Sequence, residues 1–175
     1  MHPVNVEAAL KSMVCLVDTK EQDTPRFRAR MENIGMPWKR QHLNFADYSI
    51  ECTLPNGEIF SLCEAVAIER KMDLGEICTN YGKGRKTFIR EFERCKKADG
   101  KIYILIEDGS WEKAYQGKYR SMMNPASLTS SLQAWMARYN CCVLMCRQET
   151  TPKLIHDILY RELKERLEEL PDGEI

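Results

Sequence analysis

The sequence predicts an α/β fold, one domain built on a central mixed sheet with helices on both faces. Three observations carry that prediction. Strand-length apolar runs at residues 13–17, 101–106 and 141–146 alternate with longer stretches whose apolar residues recur at helical spacing. Pro55-Asn56-Gly57 separates two β-prone runs, and Asn-Gly is the pair that a tight antiparallel turn favours. A chain of 175 residues that is 43% hydrophobic fills one sizeable core, not two.

Residues 13–17 form a buried strand that ends at Asp18. Asp23-Thr24-Pro25 then opens a helix to about Ile34, closed by Gly35 and Pro37. Residues 48–53 and 59–69 are the two strands of the Asn-Gly hairpin. Asp73 with Glu76 three residues later makes a capping box for a helix toward Ala98, with Gly82 and Gly84 as points of interruption. The run 101–106 is the clearest buried strand and ends at Glu107-Asp108-Gly109. Asn124-Pro125 caps a helix whose Leu128, Leu132, Trp135, Met136 and Tyr139 share helical spacing, a pattern that core packing explains. After the strand at 141–146, Thr151-Pro152 starts a last helix with Ile155, Ile158, Leu159, Leu163 and Leu167 on one face.

Composition excludes several functions. No apolar run is long enough to span a bilayer, and residues 1–10 carry Glu7 and lack the basic start and apolar core of a signal peptide. The expected location is intracellular: cytoplasm or nucleoid, or the nucleus of a eukaryote. Eight cysteines with no C-x-x-C pair, several inside strand-like runs, are expected as reduced, small apolar side chains. Three histidines make a histidine-based metal site improbable. The net charge is zero, but residues 83–101 carry eight basic against three acidic residues, and residues 162–175 two against six. Such a basic block is either a solvated helix or a local phosphate-binding face.

The chemistry concentrates in Val66-Ala67-Ile68-Glu69-Arg70-Lys71. On a strand Glu69 and Lys71 share one face and Arg70 takes the other. A carboxylate beside an ammonium, with a second carboxylate nearby, is the minimum equipment for metal-assisted phosphodiester hydrolysis. Asp47, on the preceding extended segment, is the natural second carboxylate. A tight hairpin pairs Asp47 near Val66, about three residues short of Glu69, so the two acids meet only if a bulge or a looser turn shifts the register. Strand-end acids also serve as plain solubilising groups.

Three blocks add to this. Val17-Asp18-Thr19-Lys20-Glu21, Phe45-Ala46-Asp47-Tyr48 and Ile68-Glu69-Arg70-Lys71 appear in the order V-D-x-R-E, G-D-Y, (V/I)-E-R-K-x-x-x-D, and residues 90–94 and 101–106 look like the continuation. The chain resembles the XPF-type structure-specific endonuclease family over about residues 13–160. The resemblance implies a three-layer α/β/α, restriction-endonuclease-like core with a central mixed sheet, a single nuclease domain at 1–175 (core about 13–170) without the family's helix-hairpin-helix domain. It implies Mg²⁺ or Mn²⁺ on Asp47 and Glu69, with Asp18 assisting directly or through water, and Lys71 steadying the attacking water or the transition state. Arg70 becomes an ion-pair partner or a phosphate contact, and Glu21 an anchor for Lys20 or Arg70. The departures are Lys20 for arginine, Ala46 for glycine, and Gly75 at the aspartate position, where Asp73 is either the nearest substitute or only a helix cap.

Lys83, Arg85, Lys86 and Arg90 are then expected along the DNA backbone. Residues 82–87 lack the spacing of a phosphate loop, so no nucleotide cofactor is expected. Tyr81, Trp111 and Tyr115 either stack on unpaired bases or pack. The resemblance implies a homodimer and, as substrate, branched DNA or single-strand/duplex junctions. The rival reading is a non-catalytic DNA-binding partner or scaffold on a degenerate nuclease fold.

Overall fold

The structure, a computed structural model, describes residues 1–82 and 85–171. Its elements run α1 (Pro3–Lys11), β1 (Val14–Val17), α2 (Pro25–Glu32), β2 (Trp38–Arg40), β3 (Tyr48–Thr53), β4 (Ile59–Ser61), β5 (Val66–Lys71), α3 (Leu74–Gly82), α4 (Arg85–Lys97), β6 (Lys101–Glu107), α5 (Trp111–Gln116), α6 (Pro125–Arg138), β7 (Cys141–Cys146) and α7 (Thr151–Glu169). Among the described residues seven strands form one mixed sheet in the order β2-β1-β3-β5-β6-β7, with β4 paired to β3. β3 is antiparallel to β1, β4 and β5, whereas β5-β6-β7 and β1-β2 are parallel.

Alternation along the strands creates two cores. One face, with Val17, Tyr48, Ile50, Ile68 and Leu105, packs against α1, α2 and α7. The other, with Ala67, Ile102, Ile104 and Ile106, packs against α3, α4, α5 and α6. This is the three-layer α/β/α arrangement. The helix caps follow the sequence: Thr24 Oγ1 accepts from the Phe27 amide, and Asn124 Oδ1 from that of Ala126. All eight cysteines are unpaired.

The structure corrects one expectation, meets one open condition and adds three elements. The segment 59–69 is not one strand: the amides of Ala65 and Val66 both donate to the Leu62 carbonyl, at 2.9 and 2.8 Å, and this turn separates β4 from β5. The turn also resolves the register. β4 pairs Glu51 with Ser61, a register whose continuation reaches Asp47 opposite Ala65, but past the turn Tyr48 pairs with Ile68. Asp47 therefore lies across from Glu69. Finally, α1, β2 and α5 were not anticipated. α1 carries Val4, Val6, Ala8, Ala9 and Leu10 and buries Val6, Ala9 and Leu10, and β2 is three exposed residues on the sheet edge, with no alternation to betray it.

Candidate active site

Glu69 and Lys71 end β5, in the middle of the sheet, on the face that α3 and α4 cover. Both are buried, at 5% and 8% exposure. Lys71 Nζ lies 2.5 Å from Glu69 Oε1, 3.6 Å from Glu76 Oε1 on α3, and 5.2 Å from the centre of the Phe88 ring on α4. Asp47 is half-buried and pinned three ways. Its amide donates to the Ile68 carbonyl (3.0 Å), its carbonyl accepts from the Asp18 amide (2.8 Å), and its Oδ2 accepts from the Arg70 amide (2.8 Å). Ala46, just before it, has φ +61°, the left-handed region that the glycine of the motif would occupy without strain.

The electrostatics are those of two crowded carboxyls beside an ammonium. Burial, then the charges of Glu69 and Glu21, lift the Asp47 carboxyl well above the ordinary range, against Lys71 and the Arg70 amide. Burial also raises Glu69, with Lys71 opposing and Glu91 and Glu76 adding to the rise. For Lys71 burial works against the charge, but Glu69 and Asp47 outweigh it and the ammonium is held more tightly than usual. Two facing carboxylates suit a hard divalent ion, since Mg²⁺ or Mn²⁺ takes one or two carboxylates and keeps its waters. Among the described residues no three His, Cys, Asp or Glu side chains converge to form a complete protein cage.

The remaining predicted residues distribute as follows. Asp18 is buried beside Asp47, but its Oδ1 accepts from the Lys20 amide (2.8 Å) and the Thr19 hydroxyl (3.3 Å), closing its own turn. Asp73 caps α3, accepting from the Glu76 amide at 2.8 Å, while Glu76 Oε2 accepts from the Met72 amide. Gly75 has a structural cause: a Cβ there would stand 3.0 Å from the Arg120 carbonyl oxygen. Lys86 and Arg90 are exposed on α4, and Arg85 lines a groove against α6 rather than the carboxylate pair. Lys83 lies outside the described residues, as does the Tyr81 side chain. Trp111 packs on the second core, and Tyr115 is exposed and accepts from Gln133 Nε2.

Arg70, on the reverse face, enters an ion-pair network. Its Nη1 lies 3.1 Å from Glu107 Oε2, and Glu107 Oε1 lies 3.4 Å from Arg30 Nη1. Arg30 Nη2 reaches Glu21 (2.7 Å), its Nε donates to the Tyr48 hydroxyl (2.9 Å), and that hydroxyl donates to Glu21 (2.9 Å). Glu21 thus anchors Arg30 and stands 3.8 Å from Arg70 Nε; it does not anchor Lys20. Sequence reasoning passed over Arg30, Glu107 and Glu91. The available signals were an arginine among Phe27, Met31 and Ile34 on one helical face, and an acid closing the most apolar strand. Glu91 sits one turn from Phe88, which touches Lys71, and one turn from Arg94, which donates to the Asn44 carbonyl at 2.7 Å. Burial, then Asp47, raise its carboxyl, with Arg94, Lys71 and Lys20 opposing.

Comparison with known proteins agrees with this architecture. A chain of XPF from Aeropyrum pernix superposes with a TM-score of 0.60 at 17% sequence identity, covering 93% of this chain, which spans 64% of that one. No curated protein matches in sequence. The family model described as the ERCC4 domain matches residues 17–158, most of the chain and all three motif blocks. The chain therefore belongs to the ERCC4 domain family, as an XPF-type nuclease domain.

Proposed function

We propose that the protein is a Mg²⁺- or Mn²⁺-dependent endonuclease that hydrolyses phosphodiester bonds in branched or junction DNA. The observation that carries this reading is the register that sets Asp47 opposite Glu69, with Lys71 Nζ 2.5 Å from Glu69 on the same face. Asp47 and Glu69 would hold the cation, which supplies Lewis acidity and an activated water when bound. The Arg70 amide orients Asp47 from below. Lys71 stays protonated at neutral pH because the surrounding carboxylates hold its proton, so it serves as a fixed positive charge toward developing negative charge and not as a general base. Homodimerisation and the preference for branched DNA belong to the same reading and rest on family membership, and an intracellular location, read from the sequence, fits it.

The test is cleavage of labelled fork, flap, four-way-junction and plain duplex DNA with Mg²⁺ or Mn²⁺, with Asp47→Ala and a chelator as controls. Metal-dependent cutting that Asp47→Ala abolishes supports the enzyme. One observation favours the rival, a non-catalytic DNA-binding partner: the Arg120 carbonyl crowds the position where the motif's last aspartate belongs. Junction binding with no cutting of any substrate would decide for it.

A further inference from the structure

A cleft of about 660 Å³ opens beside the carboxylate pair, between the Asp18–Pro25 connection and the end of β5. Lys20, Arg26 and Arg70 line it together with Gln22, Thr24 and Met72, and two acids, Glu21 and Glu76, complete the wall. The acids and the cations are not equally committed. Glu21 is bound by Arg30 and by the Tyr48 hydroxyl. Glu76 is bound by the Met72 amide and lies 3.6 Å from Lys71. Lys20 and Arg26 are exposed and form no ion pair among the described residues. Arg70 gives its Nη1 to Glu107, but its buried Nε–H has no hydrogen-bond acceptor. That Nε lies 3.8 Å from Glu21 Oε1, so Glu21 anchors the guanidinium in the cleft wall, and what Arg70 offers a ligand there is its positive charge.

We infer that this cleft is a phosphate-binding pocket that takes a non-scissile phosphate of the DNA, held by Lys20, Arg26 and Arg70. The inference rests on the proposed nuclease reading and adds where the substrate strand is gripped. Arg70 joins the two sites, because its amide holds Asp47 while its side chain reaches the cleft. A phosphate seated there sets the position of its neighbour at the carboxylates. Two cations and a fork-shaped guanidinium match an anion with several acceptor oxygens.

The experiment measures fluorescence anisotropy of a labelled fork DNA in EDTA over a series of salt concentrations, for the native chain and for Lys20→Ala/Arg26→Ala. The same fork is used with and without a 5′-phosphate. Both residues are exposed, so the double variant is expected to fold, which a thermal melt checks. Lys11→Ala on α1 controls for general loss of charge. The expected result is a log Kd against log salt plot less steep by about one to two, the counterion release of one or two lost phosphate contacts, with Lys11→Ala unchanged. Equal loss on both forks assigns an internal phosphodiester, and loss confined to the phosphorylated fork assigns a strand end. An unchanged slope, or one matched by Lys11→Ala, overturns the pocket while leaving the nuclease reading intact. No binding of either fork by the native chain, in EDTA and again with Ca²⁺ in its place, overturns the nuclease reading and the pocket with it.

Discussion

The two faces of β5 at its C-terminal end carry opposite electrostatic designs. On the α2 and α7 side, Arg30 and Arg70 meet Glu21 and Glu107, two positive charges against two negative, with the Tyr48 hydroxyl closing the network. On the α3 and α4 side, Asp47, Glu69, Glu76 and Glu91 surround Lys71, the one buried cation of that cluster. The balanced face matches its charges within the chain, two arginines against two glutamates. The unbalanced face holds carboxyls that burial and mutual repulsion push toward protonation. A fold that needs only stability has no reason to assemble such a cluster. On the function proposed above, one face is support and the other is the site that would take a cation.

The largest expected effect separates them by activity. Asp47→Asn keeps the shape but removes one charge from the unbalanced face. Cutting is expected to fall by about a thousandfold, on the scale of losing one element of transition-state stabilisation. The melting temperature of the metal-free protein is expected to stay level or rise, because a repulsion is removed. A variant that loses both cutting and several degrees of stability would place Asp47 among the structural residues.

The balanced face should respond in the opposite sense. Glu107, with 0% exposure, pairs with both arginines, and Glu107→Ala leaves Arg30, at 4% exposure, and Arg70 with Glu21 as their remaining counter-charge. A loss of about 3–5 kcal/mol in urea unfolding is expected, as for other broken buried pairs. A loss below about 1 kcal/mol would mean that water reaches the network and that it is no more than a surface pair.

Gly75→Asp, which writes the motif's aspartate back into the chain, tests how far the site has departed from the family pattern. The new Cβ would stand 3.0 Å from the Arg120 carbonyl and 3.1 Å from Asp73 Oδ1. The expected outcome is a destabilisation of about 1–3 kcal/mol from overpacking, without gain in cutting. Increased cutting would show that the segment after Lys71 limits activity.

The pH dependence sharpens the contrast further. Asp47 and Glu69 have folded pKa values above their ordinary values of 3.8 and 4.5, so in that window the folded state holds protons that the unfolded state has released. Stability is then highest below the ordinary carboxylate range and falls as pH rises through it toward the folded values. Metal-free melts should show this decline, and both Mn²⁺ and Asp47→Asn should flatten it. A rise over the same window would assign the dominant titration to other groups.

Much of this was legible in the sequence, and the remainder has physical reasons for its obscurity. β1, β6, β7 and the caps at Thr24 and Asn124 were readable because each is a local signal: an apolar run, or an oxygen one turn ahead of a helix. Glu69 and Lys71 share a face by strand periodicity alone. Their meeting with Asp47 was not readable, because it depends on the Leu62–Ala65 turn, where a shift of a few residues decides which side chains face each other. Arg30 and Glu107 were hidden for a related reason: each looks like an ordinary element-end charge until the fold brings together residues 77 positions apart.

The smallest expected effect tests whether backbone or side-chain contacts hold Asp47. Ala46 sits at φ +61°, a conformation that costs an L-residue roughly 1–2 kcal/mol and a glycine far less. Ala46→Gly removes that strain but adds freedom to the unfolded chain and gives up a buried methyl group, so the net change is expected to stay within about 1 kcal/mol of zero. Asp47 is already fixed by bonds to Ile68, Asp18 and Arg70, none of which involves the Ala46 side chain. Cutting by Ala46→Gly should therefore match the native chain within about twofold, well inside the tenfold that 1.4 kcal/mol represents. A tenfold loss at unchanged stability would mean that the stiffness of Ala46, rather than the Arg70 amide, aims the carboxylate, and would shift the support of the site from the balanced face to the loop before β3.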